Sequence, residues 1–145
     1  MRIIIMTTKF WLGLWMLFWG LNWFVDFVPQ PPGGPGSQEL HYALMHSGLF
    51  TGAKILEIFF GLSLLSNRLV PFALVVCAPV TAIVGWIHVL DGPGAPGYFV
   101  VFSHIFLLCA YLPYYEKFLV WNSQPLNASA AWKNAWTHFL SRKSA

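Results

Sequence analysis

The sequence predicts an all-α integral membrane protein: a four-helix bundle with both termini in the cytoplasm, followed by a C-terminal amphipathic interfacial helix. Three observations predict it. Of 145 residues, 57% are hydrophobic and 9% charged, against roughly 25% charged in a soluble domain. Four separate apolar segments each have about the 18 to 22 residues that cross a hydrocarbon core of roughly 30 Å. The basic residues cluster on one set of connections, as the positive-inside rule requires.

The same composition sets exclusions. With 13 Phe, 8 Trp and 5 Tyr, the apolar surface exceeds what one small core can bury, so the surplus has to face lipid. Disorder is excluded. Cys77 and Cys109 lie inside apolar runs and read as small hydrophobes, not as a disulfide scaffold. The net charge of +3 is spread along the chain, so no basic patch for nucleic acid is expected.

The first segment, 10–28, follows Arg2 and Lys9. No small-residue cleavage site follows it, so it is expected to be a retained span and not a signal peptide. Residues 29–36 (PQPPGGPG) end it, because Pro and Gly cannot continue a helix. The second segment, 49–66, meets the third, 69–90, through a tight turn at Asn67-Arg68. Pro71 is tolerable in a first turn, whereas Pro79 is mid-helix, frees the carbonyl of Val75 and predicts a kink, with Thr81 near enough to help satisfy that carbonyl. Residues 91–97 (DGPGAPG) separate it from the fourth segment, 98–115.

These segments form one domain, 1–121, and 122–145 forms a tail. In the tail Trp132, Trp136, Phe139 and Leu140 recur at i, i+4, i+7 and i+8 beside Lys133, Arg142 and Lys143. That pattern predicts a helix lying at the headgroup boundary, or one packed on a partner protein. Arg2, Lys9, Arg68, Lys117 and the tail cations fall on one side, while the two Pro/Gly loops hold only Glu39 and Asp91. Both termini are therefore expected inside.

Ionisable groups in hydrocarbon call for a partner or a function. The ionisable candidates are Asp26, Lys54, Glu57, His88 and His104, all in the outer half of the spans, with the polar amide of Asn22 joining the cluster. Lys54 and Glu57, three apart, share a helical face and predict a neutralised pair pointing into the bundle. Asp26 is expected to compete for Lys54, and Asn22 extends its face. One reading makes these residues adhesive contacts between helices. The other makes them a small outward-opening cavity for the head group of a quinone, lipid or other amphiphile, walled by Trp19, Trp23 and Trp86.

His88 and His104 would also offer two axial nitrogens to a haem, but two histidines without a CxxCH motif are weak ground for it. No intrinsic cofactor and no metal is expected. No nucleophile-base-acid set, phosphate-binding Gly loop or zinc cluster is present in the sequence, so no catalytic residue is assigned. His41 and His46 are expected to be solvated. Close helix contact is expected at Gly48 and Gly52, which form a GxxxG spacing, and at Gly13 and Gly20.

Glu57-Ile-Phe-Phe-Gly61-Leu-Ser-Leu-Leu65, then Asn67-Arg68 and Pro71-Phe-Ala73, resemble the DoxX-like membrane proteins. Gly20-Leu-Asn22 and His88 extend the resemblance to about residues 10–118. Trp23 stands where that family often has a basic residue, and Lys9 stands near a usual arginine. The resemblance implies a four-helix bundle with both termini inside, and it carries over to Glu57, Gly61, Arg68 and His88. Some members resemble the small membrane subunit of thiosulfate:quinone oxidoreductase, and distant relatives resemble cargo receptors.

The leading expectation is a non-catalytic accessory subunit of a membrane electron-transfer complex in a bacterial inner membrane, packed against other subunits and lipid. A quinone-interacting oxidoreductase subunit and a carrier for a small amphiphile or secreted partner are the alternatives. Gly61, Arg68 and Pro79 are expected to be structural.

Overall fold

The structure, a computed structural model, describes residues 1–29, 34–91 and 95–115. Among them are α1 (Arg2–Val25), α2 (Gln38–His46), α3 (Leu49–Ser66), α4 (Val70–Leu90) and α5 (Ala95–Ala110), a 3-10 turn at Leu112–Tyr114, and no strand. The tail expected over 122–145, with Trp132, Trp136 and Phe139, lies outside the described residues.

The all-helical class is as expected. Helices α1, α3 and α4 are each long and apolar enough to cross a membrane, which fits an integral membrane protein. Helix α5 has 16 residues, short of the roughly 20 of a typical span. It stops at Ala110, before the expected end at 115, and the chain tightens into the 3-10 turn that holds Pro113. A proline there has no N–H with which to prolong the α-helical ladder.

Helix α1 corrects the sequence expectation at both ends. It starts at Arg2, not at Phe10, and Lys9 is within it, not a solvated flank: its side chain is buried and its Nζ donates to Oδ1 of Asn67. It ends at Val25, where Asp26 turns left-handed (φ 52°) and donates its N–H to the carbonyl of Asn22. The fully buried Asn22 amide then clamps the departing chain, donating Nδ2–H to Val28 O (2.9 Å) and accepting Val28 N–H at Oδ1 (2.8 Å).

The tight turn expected between α3 and α4 is a left-handed cap. Asn67 and Leu69 both have φ 56°, and the Arg68 N–H bonds to Ser63 O. Asn tolerates this conformation, whereas Leu69 holds it at a steric cost. Arg68 is exposed and acts through its backbone.

Helix α1 packs on α3, α3 on α4, α4 on α5 and α5 on α1. Leu12, Met16, Phe60, Leu64, Leu74 and Leu107 fill the centre. The opposite faces stay apolar, with Phe72 58% and Phe102 67% exposed. A helix that is apolar all round requires an apolar surrounding. Helices α1 and α3 approach closely: a Cβ on Gly61 would lie 2.7 Å from Gly13 O and from Leu17 N, and one on Gly20 would lie 2.8 Å from Ile58 Cγ1. Gly13 and Gly20 thus serve as expected, with Gly61 opposite Gly13 and Ile58 opposite Gly20. Gly48 and Gly52 have nothing within 4 Å of a Cβ, so the expected GxxxG contact is absent there.

The two ends of the bundle are tied differently. At one, Lys9 meets Asn67, and Tyr115 Oη donates to Pro71 O over 2.9 Å. At the other, Asp91 Oδ2 accepts from Ser37 Oγ (2.6 Å) and from the Gly34 N–H (3.1 Å), pinning the segment before α2 to the end of α4.

Candidate functional site

Helix periodicity puts Phe50, Lys54 and Glu57 on one line of α3. The Lys54 ammonium donates to Glu57 Oε2 at 2.9 Å and Oε1 at 3.1 Å, and both side chains are buried. This is the neutralised pair expected from the spacing. Its ammonium also lies 5.0 Å from the centroid of the Phe50 ring, a cation–π contact. Trp23 (4.9 Å) and His41 (5.6 Å) approach that ring edge-on.

A cavity of about 1070 Å³ opens beside the pair. Trp15, Met16, Trp19, Leu56, Val80 and Val100 supply apolar wall, and His41, His88 and Asp91 add polar groups. From the first residue of α3, Lys54 is about 8 Å and Glu57 about 12 Å along the axis. The result is a deep apolar chamber with one charge-neutral polar station and a polar group of residues at the Asp91 end.

His88 and His104 behave differently. His88 is half-buried against the cavity, and its Nδ1–H donates to Val84 O at 2.8 Å. Gly97 abuts its ring so closely that any Cβ there would overlap it. His104 is fully buried and is not among the residues lining the cavity. Its Nε2–H donates to Leu74 O (2.8 Å), its Nδ1 meets the Thr81 hydroxyl (2.6 Å), and its ring lies 5.0 Å from Phe60. Both nitrogens are therefore engaged by the protein, leaving neither open for an axial haem bond.

Two further members of the expected cluster are elsewhere. Asp26 is exposed and ends α1, so it does not compete for Lys54. Asn22 clamps Val28 and is likewise not in the cavity lining. Both serve the exit of α1, where a left-handed residue leaves backbone groups that need partners. Of the expected walls only Trp19 faces the cavity. Trp23 donates Nε1–H to Thr51 Oγ1 (3.2 Å), and Trp86 points outward.

Thr81 is close to Pro79, but its hydroxyl reaches Cys77 O (3.2 Å) and His104, not Val75. Helix α4 remains helical across Pro79, which itself lines the cavity. His46 is exposed as expected, whereas His41 is half-buried on Phe50. In the sequence Asp91 is only a charge in the 91–97 loop; in the structure it is a hydrogen-bond acceptor. The hydrogen bond from Ser37 holds its carboxyl below the usual carboxylate value, helped by backbone donors at Gly34 and Ser37. The signals for both were faint: an i, i+3 spacing of His41 and Leu44 on one face of α2, and Asp91 at the C-terminus of α4.

Comparison of the chain with protein-family models, with curated proteins and with solved structures finds no match. The functional reading rests on the chemistry of the cavity.

Proposed function

We propose that the chain is a non-catalytic membrane subunit that holds an amphiphile, of the quinone or lipid class, in the Lys54–Glu57 cavity. One observation carries this: a chamber of about 1070 Å³ whose walls are almost wholly apolar and whose deep polar feature is a buried, paired lysine and glutamate. An ammonium has three donors. Glu57 occupies two of them, which leaves one for a carbonyl or hydroxyl oxygen of a head group. Because the pair is neutral, an uncharged head such as a quinone adds no unpaired charge to the interior.

In this proposal α5 is the fourth span of a DoxX-like bundle, the Asn67 end is cytoplasmic with both termini, and the membrane is a bacterial inner membrane. The basic residues Arg2, Lys9 and Arg68 support that orientation. The resemblance around Glu57–Leu65 supports a place beside a larger redox complex.

The test is quenching of tryptophan fluorescence by a short-chain quinone in purified, detergent-solubilised protein. Trp15 and Trp19 in the wall predict a saturable component. Lys54→Met combined with Glu57→Leu, which removes the polar station and leaves the tryptophans in place, is expected to remove it. Quenching that rises linearly in both proteins means that the quinone only partitions into the micelle, and it sinks the proposal.

A further inference from the structure

The Asn67 end of the bundle holds a second cavity, of about 780 Å³, lined by Arg2, Met6, Lys9, Asn67, Tyr111 and Tyr114 among others. We infer that it binds a phosphate group, that of an anionic phospholipid headgroup, through Lys9 and Arg2. This site is separate from the Lys54–Glu57 chamber and does not depend on what that chamber holds.

The argument begins with Lys9. Its side chain is only 8% exposed, yet its partners among the described residues are the neutral amide oxygen of Asn67 and, at 6.0 Å, the face of the Tyr111 ring. Among the described residues the one ion pair is Lys54–Glu57. No described carboxylate balances Lys9. A buried ammonium needs a countercharge, and a dipole and a ring face do not supply one.

Arg2 lies seven residues earlier on the same face of α1, about 10 Å away along the axis. Two cations at that spacing, with an open cavity between them, suit a phosphate and the atoms bonded to it. The phenols of Tyr111 and Tyr114 add hydroxyl donors at the position where tyrosines commonly meet headgroups. Ile5 and Met6 add apolar wall for the glycerol and upper acyl region. The cavity spans the last turn of α3, at Leu64 and Leu65, and the α3–α4 turn at Asn67. That is headgroup depth.

Native mass spectrometry of the full chain, loaded in turn with phosphatidylglycerol and phosphatidylcholine, tests the site. Phosphatidylglycerol is expected to be retained on the order of tenfold better, in keeping with two cations near one headgroup. Lys9→Gln is expected to bring that ratio close to one, Lys9→Arg to keep it, and Arg2→Gln to lower it part-way. The Arg2 variant lies on an exposed first turn, so it reports even if the Lys9 variant does not fold. Competition by inorganic phosphate at millimolar concentration assigns the phosphate to a free ion, and lack of competition assigns it to lipid. Equal retention of the two lipids by the unaltered protein, or a tenfold preference that survives Lys9→Gln, overturns the inference.

Discussion

His104 and Leu74 are joined across the proline segment of α4: Nε2–H of the ring donates to the Leu74 carbonyl over 2.8 Å. Pro79 lacks the N–H that would serve Val75, and the nearest side-chain hydrogen bond falls on Leu74, one residue earlier. His104→Phe keeps a ring against Phe60 and removes both hydrogen bonds. It is expected to lower stability by about 2 kcal/mol, read from reversible unfolding in mixed micelles. Unchanged stability would mean that the bond to Leu74 is dispensable.

Lys54 and Glu57 give a prediction that separates stability from binding. Lys54→Met leaves a buried carboxylate without its cation and is expected to cost about 3 to 5 kcal/mol, as is Glu57→Leu for the ammonium. The double variant removes both charges and is expected to regain most of that loss. It is also expected to lose saturable quinone quenching. If the double variant binds as the parent does, the ion pair has no part in recognition.

Gly61 and Gly52 lie on the same helix in opposite surroundings. A methyl group at Gly61 would press on the backbone of α1 at Gly13 and Leu17, so Gly61→Ala is expected to cost about 1 to 3 kcal/mol. Gly52→Ala meets open space and is expected to be neutral or to stabilise by at most about 1 kcal/mol. Paired unfolding curves in one detergent check the order, and a larger loss at Gly52 would contradict the α1–α3 contact.

Asp91 predicts a pH dependence. Its folded value lies below the ordinary 3.8 because Ser37 donates to it. A depressed carboxylate contributes stability that is present above the unfolded value and lost as pH falls through the folded one. Attachment of residues 34–37 to α4 is therefore expected to hold above about pH 4 and to loosen on further acidification. Hydrogen exchange of the Gly34 and Ser37 amides follows it, and Asp91→Asn should show the acid behaviour at neutral pH. Equal protection in the variant and the parent at neutral pH would assign that attachment to other contacts.

Local chemistry made much of the framework legible. The second segment was expected over 49–66 and α3 has those bounds; the third differs from α4 by one residue. Long apolar runs between Pro/Gly stretches leave little choice. Lys54 and Glu57 were legible as a pair because an i, i+3 spacing fixes their separation before tertiary structure forms. The burial of Lys9 within α1 was not, since it comes from meeting Asn67, 58 positions away. The same holds for His104, whose partners Thr81 and Leu74 come from another helix. Short α2 is not legible because nine residues, QELHYALMH, are too few for a helical period to stand out.

The glycine contact between α1 and α3 gives the larger cavity one unyielding side, since backbone against backbone leaves nothing to compress. Helix α4, which bears Pro79 and forms the facing side, lacks one rung of its internal ladder and bends at lower energy. In the proposed binding role such a chamber is expected to open along α4, while the α1–α3 side holds the Lys54–Glu57 pair in place.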